Sequence, residues 1–166
     1  MVISSDISLK GSEWIAAIDS YAKIFKTRTN YQLYLLSTSI GIMYDKQIES
    51  LSTNNDESYP SVPRNVFNNN NSDQFQTLYQ AAILTSKCVD YDEDKRLELA
   101  FDEKEPDTSK VIFLTKFANF GITKLLDLVG DDELSTMENL KNFLTSTMEG
   151  TNLDIEDIDS LVMELE

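Results

Sequence analysis

The residues in this chain that could do chemistry are few. Asp90 stands upstream of Asp102-Glu103-Lys104. An acidic residue two positions before a lysine is part of the pattern by which metal-dependent nucleases hold a divalent ion and activate water. Such sites need a two-strand frame to converge the carboxylates. Between Asp90 and Asp107 only the alternation of Leu97, Leu99 and Phe101 suggests a strand, and Lys95–Phe101 reads equally well as a helical turn. A solvated charge run is the simpler reading, and a nuclease is the remote one.

The rest of the chain removes the usual catalytic partners. It contains no histidine, so it lacks the commonest general base and the commonest metal ligand. Cys88 is the only cysteine, which excludes an intramolecular disulfide and a cysteine metal cluster and fits a reducing cytoplasm. With no imidazole to activate it, Cys88 reads as a small structural residue after an apolar helix face. Ser37-Thr38-Ser39 lacks a base for a serine nucleophile and reads as helix packing. No catalytic residue, cofactor or metal ligand is therefore expected.

Charge narrows the partners. A formal net charge of −15 opposes direct binding to duplex nucleic acid, where affinity comes from neutralising phosphates. It leaves a basic protein surface, a site that normally binds nucleic acid, or solubility alone. Lys10, Lys23, Lys26 and Arg28 form the one basic cluster. Three of them read as cations placed for a helix C-terminus; the alternative is a small contact surface for an acidic partner or a nucleic-acid backbone. No apolar run approaches the ~20 residues that span a bilayer. The N-terminus has no secretory pattern, so a cytoplasmic protein is expected.

These residues need helices to position them. The hydrophobic share of 41% over 166 residues supports one globular domain over 1–166, with a real core. The expected fold is mainly α: a compact bundle of six or seven helices, at most minor strand, and one long irregular loop over 45–71. Residues 1–11 read as an extended lead. Ser12 is placed to cap a helix with Trp14, Ile15, Ile18, Tyr21 (or Ala22) and Phe25 inward. Asn30 is placed to cap a second over Tyr31–Met43 with Leu33, Leu36, Ile40 and Tyr44 inward, its Ser37, Ser39 and Gly41 small enough for a close neighbour. Ser72 opens a third, with Phe75, Leu78, Tyr79, Ala82 and Ile83 on one stripe.

The organising element is Lys110–Gly150. Val111, Leu114, Phe117, Ala118, Gly121, Leu125, Leu128 and Val129 recur at helical spacing, and Ile112, Phe113, Phe120 and Ile122 broaden that face. Asp107 or Thr108 is expected to cap the start after Pro106, and Gly130 to end the helix in a left-handed conformation. Gly121 within the helix costs about 1 kcal/mol against alanine, which points to a close crossing or a kink. Asn119 beside it either bonds a neighbouring backbone or meets a partner chain. Ser135 and Glu138 have capping-box spacing before a helix that buries Leu140, Phe143, Leu144 and Met148. An amphipathic, acidic helix is expected over 152–166, with Ile155, Ile158, Leu161, Val162 and Leu165 on one side. It would dock on its own body or in a partner's groove.

Several of these strings resemble a known group. The helix ending at Gly41, the Arg64-Asn65-Val66-Phe67 element, the Phe75–Leu84 face, Phe117-Ala118-Asn119-Phe120-Gly121 with the following Ile122–Leu128, and the Met137–Leu144 helix are similar in pattern and order to the small accessory proteins encoded beside bacterial DNA-phosphorothioation (Dnd) systems, the Dnd system-associated protein 4 group. The resemblance covers roughly residues 30–148. Phe120 stands where that group has a glycine, and neither the first helix nor the acidic tail has a counterpart. The resemblance implies an auxiliary, non-catalytic part in antiviral defence or DNA modification, without catalytic residues to transfer. The expected function is an interaction subunit that binds a larger effector, an ATPase or a nuclease, with an acidic DNA mimic as the alternative. The candidate contact residues are Phe117, Asn119, Phe120 and Gly121 on the central helix, Tyr59 and Phe67 in the long loop, and Ile158, Leu161 and Leu165 in the tail.

Overall fold

The structure, a computed structural model, describes residues 4–54, 58–70, 72–101 and 106–148. Its elements run β1 (Ile7–Ser8), α1 (Ser12–Phe25), α2 (Thr29–Met43), β2 (Ser61–Val62), α3 (Arg64–Asn70), α4 (Ser72–Thr85), α5 (Glu93–Phe101), α6 (Asp107–Asp127) and α7 (Glu133–Met148). The fold is mainly α with one two-stranded sheet. The chain divides into two compact units, Met1–Asp127 and Leu128–Glu166.

The first unit is built on the antiparallel pair α2 and α6. A Cβ on Gly41 would fall within 3.0 Å of the Phe117 backbone, and one on Gly121 within 3.0 Å of the Ser37 backbone. The two helices thus meet backbone to backbone, through glycines set against residues that lie one turn from the other glycine. Gly121 is a crossing point and not a kink. Ser37 is buried with it, whereas Ser39 faces outward and bonds back to Leu35 O at 2.9 Å. The predicted α6 stripe is buried at Val111, Leu114, Phe117, Ala118, Gly121 and Leu125. Ile112 departs from the broadened face and is 57% exposed.

α1 lays Trp14, Ala17 and Tyr21 against this pair, and Tyr21 donates to Leu125 O at 2.8 Å. An aromatic cluster of Tyr31, Tyr34, Phe67 and Phe75 joins α2, α3 and α4, with the Phe67 and Phe75 rings 4.7 Å apart. α4 buries Phe75, Tyr79, Ala82 and Ile83 as its stripe predicts.

The expected loop over 45–71 is only partly irregular. β2 pairs antiparallel with β1, Ile7 opposite Val62 and Ser8 opposite Ser61, and α3 follows at once. The apolar Tyr59, Val62, Val66 and Phe67 suggest a short helical turn that pins this segment to the body, and α3 is that turn, although asparagine competes for backbone bonds and is common in turns. Phe67, 3% exposed, anchors it through tertiary packing.

Three expected caps move. Ser12 lies inside α1, whose N-cap is Gly11 at φ 129°, and its hydroxyl bonds Glu13 instead. Arg28, left-handed at φ 56°, caps α2, and Asn30 Nδ2 reaches across to Ser61 O at 2.9 Å. In the second unit Asp132 caps α7: its carboxylate accepts the Ser135 N–H at 2.7 Å, and Ser135 Oγ accepts the Asp132 N–H at 3.1 Å. That Ser135 N–H holds the Asp132 carboxyl below its ordinary pKa. Gly130 is not left-handed. It sits where a Cβ would strike Ser135, and its N–H donates to Thr136 Oγ1 at 3.0 Å. On α7, Leu140 is buried, but Leu144 is 39% exposed, as are Leu134 at 64% and Met137 at 48%. The amphipathic tail over 152–166, with Ile158, Leu161 and Leu165, lies outside the described residues.

Candidate interaction surface

The structure turns most of the expected contact residues inward. Phe117 is fully buried and Gly121 is closed off by Ser37. Asn119, 5% exposed, accepts the Trp14 indole N–H at 3.1 Å and donates to Ile48 O at 3.1 Å. Of its two readings, the backbone bond is the one formed. It ties α1 and the segment after α2 to the middle of α6. Phe120 is half-buried against the Tyr44 ring, with Lys46 Nζ 5.9 Å from its centroid. Tyr59, half-buried, bonds Asn54 O at 3.0 Å. Phe67 belongs to the aromatic cluster. These residues are brought together as core and brace, not as an open face.

The surface that is offered outward lies on the α4–α5 hairpin. Arg96 fastens it. Its guanidinium donates to Ile83 O at 2.8 Å, Ser86 O at 2.5 Å and Val89 O at 2.8 Å, and its Nε donates to Tyr91 O at 2.9 Å. A planar cation with five donors suits the carbonyls left free at a helix end. The turn between the helices is held from the other side by Asp45, itself left-handed at φ 50°. Its carboxylate accepts Ser86 Oγ at 2.6 Å, the Lys87 N–H at 2.8 Å and the Cys88 N–H at 3.4 Å. Burial pulls the Asp45 pKa up, but those hydrogen bonds outweigh it and hold the carboxyl below its ordinary value.

Cys88, read from the sequence as a small structural residue, is exposed on this turn. Partial burial of the sulfur and the Asp45 charge push its pKa up against the Ser86 hydrogen bond, so the thiol is not activated.

With polar groups fastening the hairpin, α5 buries only Ala100. Two of its three leucine and phenylalanine side chains face out, with Leu99 half-buried: Leu97 is 47% and Phe101 62% exposed, one turn apart, and Leu84 on α4 is 40% exposed. Asp90 and Asp92 on the turn before α5, and Glu93, Asp94 and Glu98 on α5 itself, are exposed as well.

A second open feature lies on the outer side of α6. A cavity of about 260 Å³ is lined by Ser5–Ser8 and Glu49 on one side and by Thr108, Val111, Ile112, Thr115 and Lys116 on the other.

The nuclease constellation is not assembled among the described residues. Asp90 is exposed, Asp102, Glu103 and Lys104 lie outside them, and the expected alternation at Leu97–Phe101 is the helix α5. No metal-holding cluster of three acidic or sulfur ligands occurs among the described residues, and no described helix is long and apolar enough to cross a membrane. Sequence reasoning missed Arg96. The one available signal was a lone arginine within an acidic segment. No protein-family model, curated protein or solved structure matches this chain.

Proposed function

We propose that the protein is a non-catalytic accessory subunit of a prokaryotic antiviral-defence or DNA-modification complex, acting in the cytoplasm by binding a larger effector protein. One observation carries the binding part of this reading: α5 is attached to the body by Arg96 and leaves Leu97 and Phe101 in solvent. Apolar side chains that a helix does not need for its own docking mark a contact site for another protein. The resemblance around residues 30–148 supplies the biological setting.

Affinity purification of the tagged full chain from its native host, with the neighbouring gene products followed, tests the reading. The wild type should retain an ATPase or nuclease component, and L97E/F101E should lose it, since both side chains are exposed and the fold does not depend on them. A chain that stays monomeric and retains none of the neighbouring products would refute it.

The exposed carboxylates on α5 and the turn before it favour a second reading, an acidic mimic occupying a nucleic-acid-binding site. That reading predicts competition with DNA for one protein, abolished as salt shortens the Debye length to about 3 Å at 1 M.

A further inference from the structure

Among the described residues the outer edge of β1 is open. β2 is covered on its far side, where α2 reaches Ser61 O through Asn30 Nδ2 at 2.9 Å. Among the described residues β1 pairs with β2 alone. Leu9 N–H donates to Pro60 O at 2.9 Å, which sets the phase of the ladder: Ile7 and Leu9 turn their backbone groups toward β2, and Ser8 turns its N–H and C=O away. Residues of both parities, Ser5 through Ser8, line the 260 Å³ cavity. One face of a strand presents only alternate residues, so β1 meets this cavity with its backbone edge. The opposite wall is α6, where the exposed Ile112 and the edge of the buried Val111 supply the apolar surface.

We propose that this groove takes an extended segment of a partner protein, which adds as a third strand on β1, sets one branched apolar side chain against Val111 and Ile112, and carries a basic residue beside it. This rests on the accessory-subunit reading and names the partner segment's chemistry. Only an extended chain has free N–H and C=O groups at strand spacing to answer Ser8; a helix has already paired its own. The room is adequate, since a dry cavity of roughly 150 Å³ holds a benzene-sized group. Among the charged lining residues Asp6 and Glu49 outnumber Lys116, with the Asp6 carboxylate also accepting the Arg64 N–H at 2.9 Å. The Glu49–Lys116 pair, 2.7 Å long, leaves the Glu49 side chain 79% exposed and ready to exchange partners. A second copy is the disfavoured occupant, because edge pairing would bring together two chains of net charge −15.

The test uses the ¹⁵N-labelled full chain and three blocked heptapeptides. The first is Lys-Thr-Val-Ile-Val-Thr-Lys, the second has both lysines replaced by glutamate, and the third has the central residue replaced by proline. The first should shift the amides of Asp6–Leu9 and Val111–Lys116, and the other two should bind at least tenfold more weakly. In the protein, Ser8→Pro removes the outward N–H without touching the β1–β2 ladder, and Ile112→Lys blocks the cavity from an exposed position. Each should weaken the first peptide at least tenfold with the melting temperature unchanged. Shifts centred on α5, full affinity in both variants, no binding to the wild type, or a concentration-dependent dimer that Ser8→Pro dissolves would each overturn the proposal. An effector retained equally by wild type and Ser8→Pro in the affinity purification overturns the groove and leaves the accessory role standing. Peptide binding at the groove by a chain that retains no effector does the reverse.

Discussion

Alanine at Gly121 separates two opposed effects by sign. Intrinsic helix propensity alone would make Gly121→Ala stabilising by about 1 kcal/mol. The structure demands the opposite. The new Cβ would lie within 3.0 Å of Ser37 backbone atoms, a separation real Cβ atoms essentially never show. The obstacle is main chain of a packed helix, so neither a rotamer change nor a local shift relieves it, and α2 and α6 must move apart. Overpacking of this kind costs about 1–3 kcal/mol where side chains can yield. Here nothing yields, so the upper end applies, and opening the seam by 0.5–1 Å also forfeits a quarter to a half of each dispersion contact along it. After the propensity gain, a net loss of at least about 2 kcal/mol is expected, or roughly 4–10 °C in melting temperature for a unit of this size.

Gly41→Ala meets the Phe117 backbone in the same way and should cost a similar amount. The double variant should cost less than the sum, because a seam already opened by one methyl admits the second. Urea and thermal unfolding followed by circular dichroism measure all three. A rise in stability for Gly121→Ala, or strict additivity of the two, would refute the backbone-to-backbone crossing.

Four further outcomes follow from buried polar groups. Ser37 Oγ is buried without a hydrogen-bond partner, so Ser37→Ala should be neutral or stabilising by up to about 1 kcal/mol in the same urea assay, the reverse of alanine at Gly121. Asn119→Ala leaves the Trp14 N–H and Ile48 O unpaired and should cost about 2–4 kcal/mol, with a shifted emission maximum, since Trp14 is the only tryptophan; unchanged emission would show that the indole bond is not formed. Burial pushes the Tyr21 phenol up to about 12 and Tyr34 higher still. The folded state therefore holds these protons where the unfolded chain releases them near the ordinary value of 10.0, so stability is intact below pH 10 and should fall by about 2–3 kcal/mol between pH 10 and 12 for Tyr21 alone, a limb that Tyr21→Phe removes in urea titrations at stepped pH. Arg96→Met unfastens α5 from four carbonyls, so hydrogen exchange should rise across Glu93–Phe101 while α2 and α6 keep their protection.

The α2–α6 seam was half legible beforehand. A glycine inside a strong helical stripe reads as a crossing because its propensity cost needs a reason, and small residues at Ser37 and Gly41 read as an approach surface. Which glycine meets which backbone is a tertiary fact with no local trace. Asn119 stood out as a polar group on an apolar face, and its two bonds come from residues 105 and 71 positions away. The helix caps were the least legible feature. Ser12, Asn30 and Ser135 have the right chemistry, but the backbone turns into each helix elsewhere, at Gly11, Arg28 and Asp132, and only that turn decides which side chain can cap. α3 was legible as a short turn through Val66 and Phe67, its length obscured by asparagines, and the outward face of α5 was hidden by a short, highly charged sequence whose apolar residues alternate as if for a strand.

The rigidity of that seam bears directly on the surface at the other side of α6. The same helix that carries Gly121 and Asn119 inward presents Ile112 outward, and with the edges of Val111 and Thr115 it forms a wall of the β1 groove. The groove's other wall is anchored close by: Ile48 N–H donates to Lys116 O at 2.9 Å, and Glu49 pairs with Lys116 in the same step of chain. A groove whose walls cannot drift needs little ordering when a segment enters, so more of the contact energy appears as affinity. If that is how the protein is used, Gly121→Ala should weaken the basic-flanked heptapeptide at temperatures well below its melting point, where the chain is still folded but the wall is displaced. The loss should be confined to the groove, with effector contacts made through Leu97 and Phe101 unaffected. Equal weakening at both surfaces would mean that the seam supports global stability alone and does not shape the groove.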